Sequence, residues 1–406
     1  GDNCNEASDY VCGFQCNKND AEYHISMPGD RATDIKTCRY DSTSRTCGGN
    51  SGEIEVVYGT NPYMTTNRTT LEQSEDATRS TEFHKRLNLV DQSLTLRHVH
   101  TNNNEVYGGG GVDLGAIISC TSSTVAIEYI RSSGHVQKGI GSGGIFADGS
   151  SVRVVGSAFK DIRNLGLGAG VVYAMAGSTI DIEFTGFKAC QHRNLMHAVT
   201  PEAGVESASV IVLDSSDMSI AHSSFEENIG DVIVAVSSNM NVTHTMFRHN
   251  NASATNADGR RRLAERPEEG HQGATVALRH GSTAILEQAV FDSNSGTSAG
   301  ALFLSNAGSK VAFDGVEFSK NQATSTDTSA GAVYVSDGAT LSGTHGIFEG
   351  NSASAQWSAG VVFATGATVI VKQSSFSNNL ASGHSMAGAR AGSGVIYSDS
   401  STLEPR

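Results

Sequence analysis

The chain has 406 residues and a net charge of −14, which disfavours nucleic acid and anionic membranes as partners. Charged residues make up only 17% and aromatic residues 6%. Glycine is frequent (45) and proline scarce (5), so the composition fits repeated bends and small residues rather than a mucin or a linker. No run approaches the ~20 apolar residues of a membrane-spanning helix.

The chain opens on Gly1 rather than Met, which reads as a processed or truncated start. Five of its seven cysteines (Cys4, Cys12, Cys16, Cys38 and Cys47) lie within the first 47 residues, without a Cys-x-x-Cys zinc pattern. This density predicts a disulfide-stapled cap or small module over residues 1–52. Cys120 and Cys190 complete the disulfide candidates, on separate coils; the odd total leaves one thiol free, paired outside the chain, or paired with a segment missing from it. Three sequons, at Asn67, Asn241 and Asn251, predict attached N-glycans and, with the cysteines, an extracellular protein. Residues 53–86 read as transitional, with a strand at Glu53–Tyr58 followed by a polar stretch, Thr60–Arg86.

From residue 87 onward the chain repeats. Phe-x-x-Asn recurs at Phe225/Asn228, Phe247/Asn250, Phe291/Asn294, Phe318/Asn321, Phe348/Asn351 and Phe376/Asn379, and Phe159 and Phe187 extend the series upstream without the Asn. Between the Phe-x-x-Asn units the Phe-to-Phe steps are 22, 44, 27, 30 and 28 residues, the step of 44 being one rung plus an insertion. Seven and five residues before each Phe lie mostly apolar positions, for example Val152 and Val154, Ile180 and Ile182, Met218 and Ile220, Val369 and Val371. Two residues apart, they share one face of a strand. Three residues before Phe comes a mostly polar column (His222, His244, Gln288, Gly315, His345, Gln373) that suits an outward or turn position. A second short apolar strand precedes each of these, as at Leu302-Phe-Leu, Val333-Tyr-Val and Val361-Val-Phe. Helical periodicity is missing.

These features predict an all-β fold: a right-handed, single-stranded parallel β-helix of about ten coils over 87–406, a rod about 50 Å long. Stacked Phe rings would fill its interior. The Asn residues would take the bend, where they tolerate left-handed backbone angles, and stack their amides along the rod.

Phe-x-x-Asn alternating with Gly-Gly-Ala-like strand starts resembles the repeats of the chlamydial polymorphic outer-membrane proteins, over roughly Gly168 to Asn379. Here the tripeptide is worn to Ala-Gly-Ala at Ala299-Gly300-Ala301 and Ala330-Gly331-Ala332, to Ala-Gly-Val at Ala359-Gly360-Val361 and to Gly-Ala-Thr at Gly273-Ala274-Thr275. There is also no room for the barrel that those proteins carry. The resemblance implies a cell-surface or adhesive β-helix; it does not imply an enzyme.

Two stretches break the repeat. The larger, 251–272, contains Arg260-Arg-Arg-Leu-Ala-Glu-Arg and predicts an exposed loop; the lesser spans Gln191–Ser207. Gly394-Val-Ile-Tyr starts a further coil with no polar cap visible after it.

Enzymes built on such solenoids need clustered carboxylates. Asp214, Asp217, Asp231 and Asp337 instead fall at bends, where Asp is a turn former. His222 and His244 hold equivalent places on adjacent coils, and His98 and His100 share a strand face, yet neither pair completes a metal-ligand set. The expectation is therefore no catalytic residue, cofactor or metal. The chain reads as a structural extracellular glycoprotein of a coat, fibre or flagellar hair, with protein partners or self-assembly. An adhesin binding through its loops is the alternative, and a polysaccharide lyase or hydrolase comes third.

Overall fold

The computed structural model describes residues 114–138, 140–192, 207–252, 273–325, 328–382 and 393–405, the strands within 87–107, and the backbone of five short strands between Phe14 and Tyr58. Among the described residues there is no helix. Every strand from Leu87 onward that pairs with another coil does so in parallel, in long stacked sheets, as in a β-helix or solenoid.

One coil illustrates the rest. Val333–Ser336 lies in an eleven-stranded sheet (sheet I), Thr340–Thr344 in a sixteen-stranded sheet (sheet II) and Ile347–Glu349 in a ten-stranded sheet (sheet III). Ser352–Ala353 adds a short fourth ladder before the chain climbs to the next coil at Trp357–Ala359. Successive coils stack in register, residue on like residue: Leu341 on Val369 in sheet II, Phe348 on Phe376 in sheet III. Strand period two then sends alternate side chains inward, so Val311, Leu341 and Val369 are buried along one line.

Corners are set by backbone conformation. After each sheet one or two residues adopt positive φ. Between sheets II and III this is the column Tyr129, Gly156, Phe184, His222, His244, Gln288, Gly315, His345 and Gln373, with φ from 47° to 63°. After sheet III it is Glu227, His249, Ser293, Lys320, Gly350 and Asn378. The left-handed residue is thus the one before each ladder Asn. This corrects the expectation that Asn itself takes the bend: the Asn side chain is buried inside, where its amide joins the ladder, and the bend falls to its predecessor.

Inward-facing residues form one continuous apolar core from Leu89 to Val369. Phe313 interrupts its even packing. Its ring fills the space beside Gly343, where an added Cβ would come within 2.2 Å of ring atoms. A second apolar cluster lies on the opposite face of sheet I. Phe303, Tyr334, Phe363 and Tyr397 stack there at 4.9 to 5.4 Å. Ala299, Ala330 and Ala359, from the short segments that enter each coil, pack with them. Sheet I is therefore buried on both faces, which is why its strands read as unbroken apolar runs.

The five N-terminal strands (Phe14–Cys16, Glu22–Ile25, Lys36–Asp41, Thr46–Gly49 and Val56–Tyr58) pair antiparallel in sequence. The last pairs antiparallel with Ser93–Arg97 and so continues sheet II. The disulfide expectation for Cys4, Cys12, Cys16, Cys38 and Cys47 lies outside the described side chains. Asn251–Ala252 pairs with Ser295–Gly296 and belongs to a coil, so the insertion expected at 251–272 is corrected at its start; 253–272 lies outside the described residues. At the far end Ile396–Asp399 and Thr402–Pro405 extend sheets I and II. Phe376 is 36% exposed and Leu380 61%.

Candidate functional site

The most developed chemistry in the molecule is axial and internal. The sheet III register carries Phe159, Phe187, Phe225, Phe247, Phe291, Phe318, Phe348 and Phe376 in one line. Their rings stack at 4.6 to 5.3 Å with planes within 11°. Beside them runs an amide ladder. Asn228 Nδ2 donates to Asn250 Oδ1 (2.9 Å), Asn250 to Asn294 (2.9 Å), Asn294 to Asn321 (3.0 Å), Asn321 to Asn351 (3.0 Å) and Asn351 to Asn379 (3.0 Å).

Each amide is used further. The second Nδ2 hydrogen goes back to a Phe carbonyl of the preceding coil, as from Asn294 to Phe247 O at 2.9 Å. Each Oδ1 also accepts the backbone N–H of the preceding ladder residue, as from Asn250 N to Asn294 Oδ1 at 3.0 Å. An interior Asn therefore makes four hydrogen bonds, the full capacity of its donors and its carbonyl lone pairs. Buried amides of this kind are tolerated only when so satisfied.

Two hydroxyl ladders at the other corners went unread in the sequence. The N–H of Ser123 donates to Ser150 Oγ (3.0 Å), that of Ser216 to Ser238 Oγ (3.0 Å) and that of Ser238 to Ser282 Oγ (3.1 Å). Between sheets II and III the N–H of Thr185 donates to Ser223 Oγ (3.1 Å). These hydroxyls donate back to a nearby carbonyl of their own coil, as from Ser216 to Asp214 O. The left-handed corner turns these N–H groups off the sheet ladder, and the hydroxyl of the coil above receives them.

Cys120 and Cys190, expected among the disulfide partners, are free and buried. Cys190 occupies the ladder position below Asn228 and its N–H donates to Asn228 Oδ1 (2.9 Å). The Cys120 thiol points to Phe146 O at 3.3 Å. Both face inward in columns that offer no second cysteine, which removes them from the disulfide set. Burial pushes the pKa of each thiol up to about 12.

Outside, the acidic residues serve local structure. Asp214 accepts from Ser215 Oγ, Asp217 from Asn239 Nδ2, Asp337 from Ser336 Oγ, and the buried Asp231 from the Ala274 N–H. Asp214 and Asp217 share one coil, and Asp231 and Asp337 lie on two others. His345 Nδ1 sits 2.7 Å from Asp314 Oδ1, and that contact, with Thr344 Oγ1, holds the exposed Asp314 carboxyl below its ordinary range. His222 and His244 stack at 4.8 Å, and Phe184 stacks on His222 at 5.1 Å. Phe184 is 61% and Tyr129 51% exposed, both in left-handed corner positions that bulky residues rarely occupy. Among the described residues no group of three or more His, Cys, Asp or Glu is placed to hold a metal. His98 lies outside the described residues.

Asn241 is exposed on the outer face of Asn239–Thr243, and Asn251 is exposed at the edge of its short strand. Asn67 lies outside the described residues. Among those residues no helix is long and apolar enough to cross a membrane. No protein-family model, no curated protein and no solved structure matches the chain. The likeness to polymorphic outer-membrane repeats therefore stands on the repeat residues alone.

Proposed function

We propose that the chain is a structural extracellular glycoprotein, a right-handed β-helical building block of about ten coils with a disulfide-stapled N-terminal cap, working in a cell-surface coat, fibre or flagellar hair. The observation that carries this reading is the unbroken axial run of amide–amide hydrogen bonds from Asn228 to Asn379 beside the stacked Phe column. These side chains brace the rod along its axis instead of forming a reactive group. Right-handedness follows from the strong preference of parallel strand–crossover–strand connections for that hand. The ten strands of sheet III support the coil number. The exposed Asn241 and Asn251 would carry glycans on the rod's flanks. No enzymatic activity is part of this reading.

Immunogold electron microscopy of intact, unpermeabilised cells that express the chain tests it. Label on surface structures is the expected result; label confined to the cell interior would overturn it. Adhesion is the second reading, favoured by the exposed Tyr129 and by the Phe184–His222–His244 stack.

A further inference from the structure

The Phe column stops before the first coils. Its register continues from Phe159 to Ser132 and then to Thr101, both buried. Three residues after Ser132, at the place that Asn228 to Asn379 hold in later coils, stands the fully buried His135. Its Nε2 lies 3.1 Å from Thr101 Oγ1. Two residues further on Gln137 is also fully buried, between Val106 and Asn164 in its own ladder. Where later coils read Phe-x-x-Asn, this coil reads Ser132-x-x-His135-x-Gln137.

Hydrogen bonding separates this coil from its neighbours. Asn164, next in the ladder, closes its amide on Gly168 O (2.8 Å) and the Gly166 N–H (2.9 Å). Gln137 does not: neither its Oε1 nor its Nε2 has a protein partner, and Ser132 Oγ has none either. Of the five buried side-chain polar atoms without a protein partner among the described residues, three belong to this one coil. A neutral amide removed from water without compensation is strongly disfavoured, so such a group points to something that meets it. Along the line that phenyl rings fill in later coils, this coil and the one before it place only the small side chains of Ser132 and Thr101. A polar lining with room is the condition for a buried guest.

We propose that the interior of this coil binds a small neutral guest that both donates and accepts hydrogen bonds, held by Ser132 Oγ and the Gln137 amide beside Thr101 and His135. Neutrality follows from the lining: none of the buried polar residues in these coils is Asp, Glu, Lys or Arg. Both donor and acceptor character follow from the amide, which presents one of each. Water and a small polyol share this chemistry.

Crystal structures of the full chain, one grown without polyols and one soaked in glycerol, test the proposal. The expected result is ordered density about 2.7–3.2 Å from Ser132 Oγ and from the Gln137 amide. Water in both crystals names water as the guest; glycerol replacing it names a polyol. A site without density in either crystal overturns the proposal. Thermal unfolding of Gln137→Leu gives an independent sign. A bound guest loses its partner, so Tm falls by about 1–3 °C. With no guest the change removes an unpaired amide, so Tm rises, and that rise would also overturn the proposal.

Discussion

Replacing Asn294 by Leu keeps the side-chain size but deletes four hydrogen bonds. Asn250 N and Nδ2 lose their acceptor at 3.0 and 2.9 Å, and Phe247 O and Asn321 Oδ1 lose their donor at 2.9 and 3.0 Å. At about 1 kcal/mol net per bond the loss is about 4 kcal/mol. Because all four groups stay buried, that figure is nearer a floor than a ceiling. Asn379→Leu is the internal control. It deletes three bonds of closely similar length, to Asn351 N, Asn351 Nδ2 and Phe348 O, but at a partly buried site where water can replace them. The expected loss there is about 1–2 kcal/mol. Guanidinium unfolding followed by far-ultraviolet circular dichroism measures both variants, and hydrogen exchange at the Asn250 N–H reports the local effect. Losses within about 0.5 kcal/mol of each other, or an Asn294→Leu loss below about 1.5 kcal/mol, would refute the claim that buried amide satisfaction holds the coils in register.

Three further outcomes are expected. Gly343→Val puts a Cβ into the Phe313 ring and should destabilise by about 1–3 kcal/mol, although Val is common in that column; adding Phe313→Leu should restore most of it, as a double-mutant cycle in chemical denaturation would show. Cys120 and Cys190 should resist iodoacetamide at about pH 8 in the folded protein and react on unfolding, by mass spectrometry. Their folded values of about 12 lie above the ordinary 9.0, so their contribution to stability is complete below pH 9.0 and is lost as pH rises toward 12; Cys120→Ala with Cys190→Ala should flatten that decline in pH-dependent melting. A glycopeptide map of the native protein should show occupancy at Asn241 and Asn251, and both sites bare would count against passage through a glycosylating pathway.

The Phe and Asn columns were legible in the sequence because identical residues recur at coil-length steps, with apolar pairs at fixed offsets before them. The hydroxyl ladders were not. Serine is common everywhere, and the corner position accepts Ala289 and Val316 as readily as Thr245. The outer cluster was hidden in strands such as Val333-Tyr-Val: an apolar run shows burial but not that Tyr334 faces away from Val333 and Val335. The left-handed corner fell one residue from the expected Asn, since Glu227 and His249 give no conformational signal. The proposed interior site needed register. Only the pairing of Ser132 with Phe159 shows that a serine stands at a ring position.

The most direct test of a structural building block is electron microscopy of the native surface assembly at a resolution that shows strand spacing. Fibres or sheets built from stacked coils about 4.8 Å apart, with an axial repeat fitting a rod about 50 Å long, are the expected result. Isolated single particles in every native preparation would contradict it.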